Sequence, residues 1–217
     1  MIITLFGIIK QANVRRLSMK EFYEVLLNGI PGGLTVKRII NGISWMGAEL
    51  SDGSFGIAMN TEGESIERGF CSLEGLDAKT AAAAVMSWNF KEASEAMAVI
   101  NACYNSKSRL DALHAGSEYK IKCTEGFSTN GKVIGIVGHM RFDEYDFADA
   151  KKIYTLERRE IRGDYPDPAC EYILPECDIV IISGSAAVNK TLPRLIELSK
   201  NAVTIIIGPT VAMCPEL

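Results

Sequence analysis

The sequence is poor in the residues from which most metal centres and hydrolases are built. Its 217 residues include two histidines, His114 and His139, and six cysteines, at positions 71, 103, 123, 170, 177 and 214. No C-x-x-C occurs, and the closest pair, Cys170 and Cys177, is seven residues apart. No standard structural zinc site can be assembled from such spacing, and the thiols read as reduced and mostly buried. H-E-x-x-H, G-x-S-x-G and a Ser–His–Asp order are all missing, which removes the common hydrolase templates. Long apolar runs are also absent. The start, Met1-Ile-Ile-Thr-Leu-Phe-Gly-Ile-Ile9, has no basic flank and no small-x-small cleavage pattern, and is too short to span a bilayer. The chain therefore reads as cytoplasmic, with no membrane partner. Dense basic runs are lacking too: 27 acidic residues against 23 basic ones leave a net charge of −4, which argues against a nucleic-acid partner.

What is present is concentrated in the second half. Val133–Val137, Ile153–Leu156, Ile179–Ile182 and Val203–Ile207 are short β-branched runs, each followed by small or polar residues. Continuous apolar runs without polar alternation suit strands buried on both faces of a parallel sheet. In such a sheet, ligands bind outside the carboxyl ends of the strands. Thr191 is placed to cap a helix over residues 192–200, with Pro193 in its first turn, and a shorter helix is expected over 168–174. The last strand is wholly apolar with ten residues after it, so its edge invites a partner chain or signals a truncated carboxyl terminus. A homo-oligomer is one way to cover it.

The first half reads as a small α+β unit. Ser18 can cap a helix over 19–27 with Asn28-Gly29 as its stop. Strands over 35–50 and 54–60 flank the Gly-containing turn Ser51-Asp52-Gly53. Asp77 can cap an alanine-rich helix over 78–87. A second helix over 91–105 sets Ala93, Ala96, Met97, Ile100 and Tyr104 on one face. Residues 105–131 are polar and without period. The expected organisation is an extension over 1–18, the α+β unit over 19–110, a linker over 111–131 and the parallel-sheet unit over 132–217.

Candidate chemistry collects at the strand ends. Gly138 allows a ligand to approach the backbone, and His139 follows it as a ligand or proton carrier. Glu157 stands where doubly wound proteins place a carboxylate for ribose hydroxyls, and it suits a cation or amine equally well. Ser183, Ser185, Asn189, Lys190 and Thr191 form a polar loop leading into a helix start, an arrangement that suits an anion. Cys214, in the tail, could reach the same mouth. His139, Glu157 and Cys214 together make a conceivable mononuclear transition-metal site.

The ordered motifs resemble a known family. Asn28-Gly-Ile-Pro31, Trp88-Asn89-x-x-Glu92 and Asn101-Ala-x-Tyr104-Asn105 look like its first domain. Ile136-Val-Gly138-His139, Leu156-Glu157, Gly163-Asp164-Tyr165-Pro166, Asn189-Lys-Thr-Leu-Pro193 and Gly208-Pro209 look like its second. This is the putative heavy-metal-chelation family. The resemblance implies an α/β protein in which an enolase-N-terminal-like domain precedes a Rossmann-like domain, with a site between them. Trp88, Asn89 and Glu92 would be walls from the first domain, facing Gly138, His139, Glu157, Asp164, Asn189 and Gly208 from the second. The expected partner is a small anionic molecule or a metal complex. The alternative is an enzyme for a nucleotide-like or metal-chelating metabolite, with His139 or Glu92 transferring protons. Where the family continues Gly-Pro-x-Thr-Pro-Leu, this chain reads Gly208-Pro-Thr-Val-Ala-Met213 and so lacks a polar and a rigid group at the mouth.

Overall fold

A computed structural model describes residues 6–9, 18–112, 128–140, 142 and 146–215. The first unit opens with helix α1 (Met19–Asn28). Ser18 accepts from the Glu21 amide while the Glu21 carboxylate accepts from the Ser18 amide, a reciprocal cap that fixes the start. Strands β2 (Val36–Asn41), β3 (Trp45–Leu50) and β4 (Phe55–Met59) follow as an antiparallel meander. The sequence reading had one strand over 35–50; the chain instead turns at residues 42–44. There the Gly42 amide donates to the Trp45 carbonyl at 3.0 Å, and the Asn60 amide group holds the carbonyls of Gly42 and Ile43. Helices α2 (Ala78–Ala83) and α3 (Phe90–Tyr104) close the unit, capped by Asp77 and Asn89.

Helix α3 was expected to bury one face, but every residue from Glu92 to Tyr104 is buried. One side lies on the meander so closely that a Cβ at Gly56 would come within 2.2 Å of the Ala102 nitrogen. Helix α2 and the 3-10 turn after it cover another side, and near the carboxyl end Asn101 and Asn105 reach the carbonyls of Pro209 and Val211 in the second unit, so a helix with polar residues is covered all round. A short helix α4 (Lys107–Ala112) continues the chain where the sequence showed no period, and the rest of the expected linker, 113–127, lies outside the described residues.

The second unit is a sheet of order β1-β9-β8-β5-β6-β7. Strands β5 (Val133–Val137), β6 (Lys152–Glu157), β7 (Tyr165–Pro166), β8 (Ile179–Ser183) and β9 (Val203–Ile207) are parallel, and β1 (Phe6–Ile9) joins β9 antiparallel. The edge of the last strand is thus covered by the chain's own residues 6–9, part of the stretch read as an extension; this removes the observation behind a partner there. Strands β5, β8 and β9 are buried on both faces, as their runs predict. Strand β6 is not: Ile153 is 44% exposed, because β7 pairs only with Leu156 and Glu157 at its far end. The expected helix over 168–174 is α5 (Cys170–Ile173) between two 3-10 turns, and α6 (Leu192–Leu198) follows β8.

One apolar core runs through both units. It joins Phe22, Leu26, Met97 and Ile100 to Val137, Leu174, Val180, Ile182 and Leu195. The Tyr23 hydroxyl crosses the boundary to the Ala187 carbonyl, and burial holds its phenol protonated well above the ordinary range.

Candidate functional site

Strand order reverses between β5 and β8, since β6 lies on one side of β5 and β9 lies beyond β8. A crevice outside the carboxyl ends at such a switch point is the standard ligand position in open α/β sheets. Parallel register (Val137 beside Leu156 and Ile182, Ser183 beside Ile207) brings the loops carrying His139, Glu157, Ser183–Ser185 and Gly208 to that one edge. Gly138 has φ of 97°, and a Cβ there would lie 2.9 Å from the Ser183 Cβ. The two loops touch, and only glycine lets them.

The Glu157 carboxylate organises the first loop. It accepts the His139 amide at 2.9 Å on one oxygen, and the Arg158 and Arg159 amides at 2.7 and 3.4 Å on the other. The His139 imidazole is then turned by Asp164. Its Nε2–H donates to Asp164 Oδ2 at 2.8 Å, and the same oxygen accepts the Ile161 amide. Nδ1 lies 3.7 Å from Glu157 Oε2. Asp164, which entered only through the family motif, is therefore the orienting partner of His139. Replacing Glu157 by alanine is expected to cost on the order of 1–3 kcal/mol in urea unfolding without any ligand, because three backbone donors lose a charged acceptor. An unchanged midpoint would mean the loop holds itself.

The second loop departs from expectation. Thr191 has helical dihedrals (φ −85°, ψ −20°) and caps nothing; its amide and hydroxyl both bond Asn189 Oδ1, at 3.1 and 2.7 Å. Asn189 and Thr191 satisfy one another, and α6 has only seven residues, so no anion site is built on its start. Ser183 Oγ and Ser185 Oγ lie 2.9 Å apart. Between Asn189 and Thr191, Lys190 has φ of 71° and is 7% exposed. Its ammonium donates to the Val188 carbonyl at 2.8 Å and sits 5.5 Å from the ring centres of Tyr23 and Phe90, both from the first unit.

Facing these loops is the segment after β4. The Met59 amide bonds Thr210 Oγ1 beyond β9, while Glu62 pairs with Arg159 beyond β6. Residues 59–63 therefore strap the sheet edge from one side to the other. The Thr61 amide bonds Ser94 Oγ on α3, and Thr61 Oγ1 is buried with no hydrogen-bond partner. Further along α3, Asn101 reaches the Pro209 carbonyl, and Asn105 holds Val211 and Met213. Asn101 Oδ1 is the second buried atom without a partner.

The expected walls from the first domain divide. Trp88 is exposed and stands 6.5 Å, ring to ring, from Phe90, beside the Lys190 cage. Asn89 and Glu92 are structural. Asn89 caps α3 and bonds the Ile66 carbonyl, and Glu92 accepts the Gly69 and Phe70 amides at 3.1 and 2.8 Å. Burial pushes the Glu92 carboxyl up, but hydrogen bonds from Ser87, Gly69 and Phe70, with Arg68 nearby, hold it below the usual range. Both oxygens are occupied, so Glu92 is a fixed anion rather than a proton shuttle. Gly208, with φ of 110°, turns the chain at the end of β9 toward the seam. Among the described residues no three or more His, Cys, Asp and Glu side chains are grouped to hold a metal ion. His139 and Glu157 come together, but Cys214 does not complete them. It packs at the border of the main apolar core instead.

The residues that sequence reasoning passed over are Thr61, Ser94 and the cage around Lys190. Ser94, Asn101 and the C-cap Asn105 recur at 7- and 4-residue spacing along α3, a polar stripe on a buried side of the helix.

A parallel-sheet α/β unit whose carboxyl edge is strapped by an antiparallel α+β unit is the class of protein these features define. Two family models, both described as "Putative heavy-metal chelation", match it: DUF4213 over residues 23–104 and DUF364 over residues 126–217. The chain belongs to this family. A crystal structure of a DUF364 protein of unknown function from Desulfitobacterium hafniense is 35% identical with a TM-score of 0.80, covering 92% of this chain and 81% of that one. Another, from Pyrococcus horikoshii, is 26% identical with a TM-score of 0.68, covering 91% of this chain and 80% of that one. An uncharacterized protein of Methanocaldococcus jannaschii is 47% identical over 69 residues, 30% of this chain and 27% of that protein's length. Among the described residues no helix is long and apolar enough to cross a membrane.

Proposed function

We propose that the protein binds a small anionic ligand, including one that carries a chelated metal, in the seam at the carboxyl ends of β5, β6, β8 and β9. The observation that carries this reading is the meeting of His139, Glu157 and the Ser183–Ser185 hydroxyls at the switch point, beneath the strap over 59–63. The Ser183–Ser185 pair uses one of its two hydroxyl hydrogens internally and leaves the other to donate, and Thr61 Oγ1 has no hydrogen-bond partner. An anion supplies acceptors in the place where they are short.

The family's description implies a metal, and the residues fit one in a limited way. His139 Nδ1 and Glu157 Oε2 are two donors, with Asp164 fixing the ring as an outer carboxylate commonly does. Two donors suit a metal that arrives already held by its anionic ligand, with the protein completing the coordination. Such a metal would act as an electrophilic anchor for the ligand's oxygens. An enzymatic reading keeps one support: the same Asp164 contact orients His139 Nδ1 as a proton acceptor.

Thermal unfolding with citrate alone, Ni²⁺ alone and the two together tests this. Wild-type protein is expected to gain stability with the logarithm of citrate concentration, and more with the chelate. His139→Ala should lose the nickel-dependent part and Ser183→Val should weaken both. Equal responses from wild type and His139→Ala, or no stabilisation at millimolar concentration, would reject the assignment.

A further inference from the structure

We propose that Lys190 captures a carbonyl group of the seam's ligand as an imine, which narrows the ligand class to anions bearing an aldehyde or ketone. This rests on the anion-binding reading above and adds to it a covalent step.

Lys190 has the position of a reactive amine rather than of a surface charge. It lies in the β8–α6 loop at the ligand edge, and it is the residue other than glycine with positive φ among those described. A lysine in the left-handed region is strained by about 1 kcal/mol or more, so the fold has to hold it there. Bonds on either side do so: Asn189 and Val188 donate their amides to the Ser185 carbonyl, and Thr191 donates its amide to the Ala186 carbonyl. Lys190 therefore belongs to the same tight loop, at the carboxyl end of β8, that carries Ser183 and Ser185.

Its surroundings suit nucleophilic chemistry. The side chain is more than nine-tenths buried, with one carbonyl acceptor and two aromatic rings around the nitrogen. Among the described residues no carboxylate pairs with it, and burial pushes its pKa down to about 8. A permanent buried ammonium without a counter-charge is a costly structural latch, whereas a desolvated lysine amine is a recurring nucleophile toward carbonyl compounds. At pH 8 about half of such a group is free amine, roughly a hundredfold more than for an ordinary lysine.

The chemistry balances without an oxidant or reductant. The neutral amine adds its lone pair to the carbonyl carbon, and the carbonyl oxygen becomes the hydroxyl of a carbinolamine. Loss of that hydroxyl with a nitrogen-bound hydrogen, as water, leaves the C=N bond. The Ser183 and Ser185 hydroxyls of the same loop would hold the ligand's carboxylate or phosphate while the carbon reacts.

The test uses the full chain with two probes, pyruvate and pyridoxal 5′-phosphate, at pH 8 with borohydride trapping and peptide mass mapping. The expected result is one reduced adduct per chain, on Lys190, formed at least about tenfold faster than on any other lysine and suppressed by citrate. Lys190→Met, which removes the amine while filling the same buried space, should lose the adduct without losing stability. Labelling spread over surface lysines with Lys190 unmodified would overturn the proposal, and that decision comes from the wild-type protein whether or not the variant folds. If citrate stabilises the protein but no adduct forms on Lys190, the anion reading stands and this one falls. If citrate has no effect yet Lys190 is labelled selectively, the reverse holds.

Discussion

Replacing Gly56 with valine is expected to destabilise the protein by about 3 kcal/mol or more, the upper end of the range for overpacked interiors. The side chain would have to occupy space already taken by helix backbone: the first added carbon meets the Ala102 nitrogen at 2.2 Å and the Ala98 carbonyl oxygen at 2.3 Å. Neither atom can rotate away, so α3 must lift off β4. That movement would open the first unit and carry the polar stripe of Ser94, Asn101 and Asn105 away from the strap and the tail beyond β9. Both tryptophans, Trp45 and Trp88, belong to the first unit, so their fluorescence in a urea titration reads the event directly. Gly32→Ala is the control, because a Cβ there meets nothing within 4 Å; its midpoint should stay within about 0.5 kcal/mol of wild type. A Gly56→Val midpoint equally close to wild type would mean that α3 is not seated as described.

What could be read beforehand follows from how local each cause is. Four apolar runs marked parallel strands, three of them (β5, β8 and β9) because burial on both faces leaves no polar alternation, and the strand ends bring His139, Glu157 and Ser183 to one edge. The Ser18 and Asp77 helix starts were legible because a cap is written within four residues, whereas Asn89, read as a wall of the site, turns out to cap α3. Two features were not local, and one local reading was misled by a competing partner. The turn at residues 42–44 depends on Asn60, which is distant in sequence, to hold its carbonyls. The cover of the β9 edge comes from residues 6–9, at the opposite end of the chain. Thr191 reads as a cap by type and position, yet Asn189 Oδ1 takes its hydroxyl, so the helix start is organised from two residues upstream. The orienting role of Asp164 belongs with these, since Gly163-Asp164 entered through a family motif and no spacing links it to His139.

Lys190→Met is expected to raise stability at pH 7, with an advantage that shrinks as pH rises. In the folded protein burial lowers the lysine pKa from 10.5 to about 8. The sign follows from proton counting. Below pH 8 the group is charged in both states and the folded state bears the full cost of burying it. Between about 8 and 10.5 the unfolded chain binds more protons than the folded one, so the wild type gains stability with rising pH. The gap between the two pKa values is worth roughly 3 kcal/mol, and contacts of the charge with the Tyr23 and Phe90 rings return about 1 kcal/mol of it. A net advantage of about 2 kcal/mol for the variant at pH 7 is therefore expected. The wild-type curve alone would not reveal this. Burial pushes the Cys103, Cys170 and Cys177 thiols up from 9 to about 11, 12 and 11, so their contribution is complete below pH 9 and is lost as pH rises through those values. Tyr23 acts in the same direction from pH 10 upward. Those groups are common to both proteins and cancel in the difference between urea midpoints measured from pH 7 to pH 10.5. A difference that stays constant across that range would mean Lys190 does not titrate there, and the free amine at the seam would be lost with it.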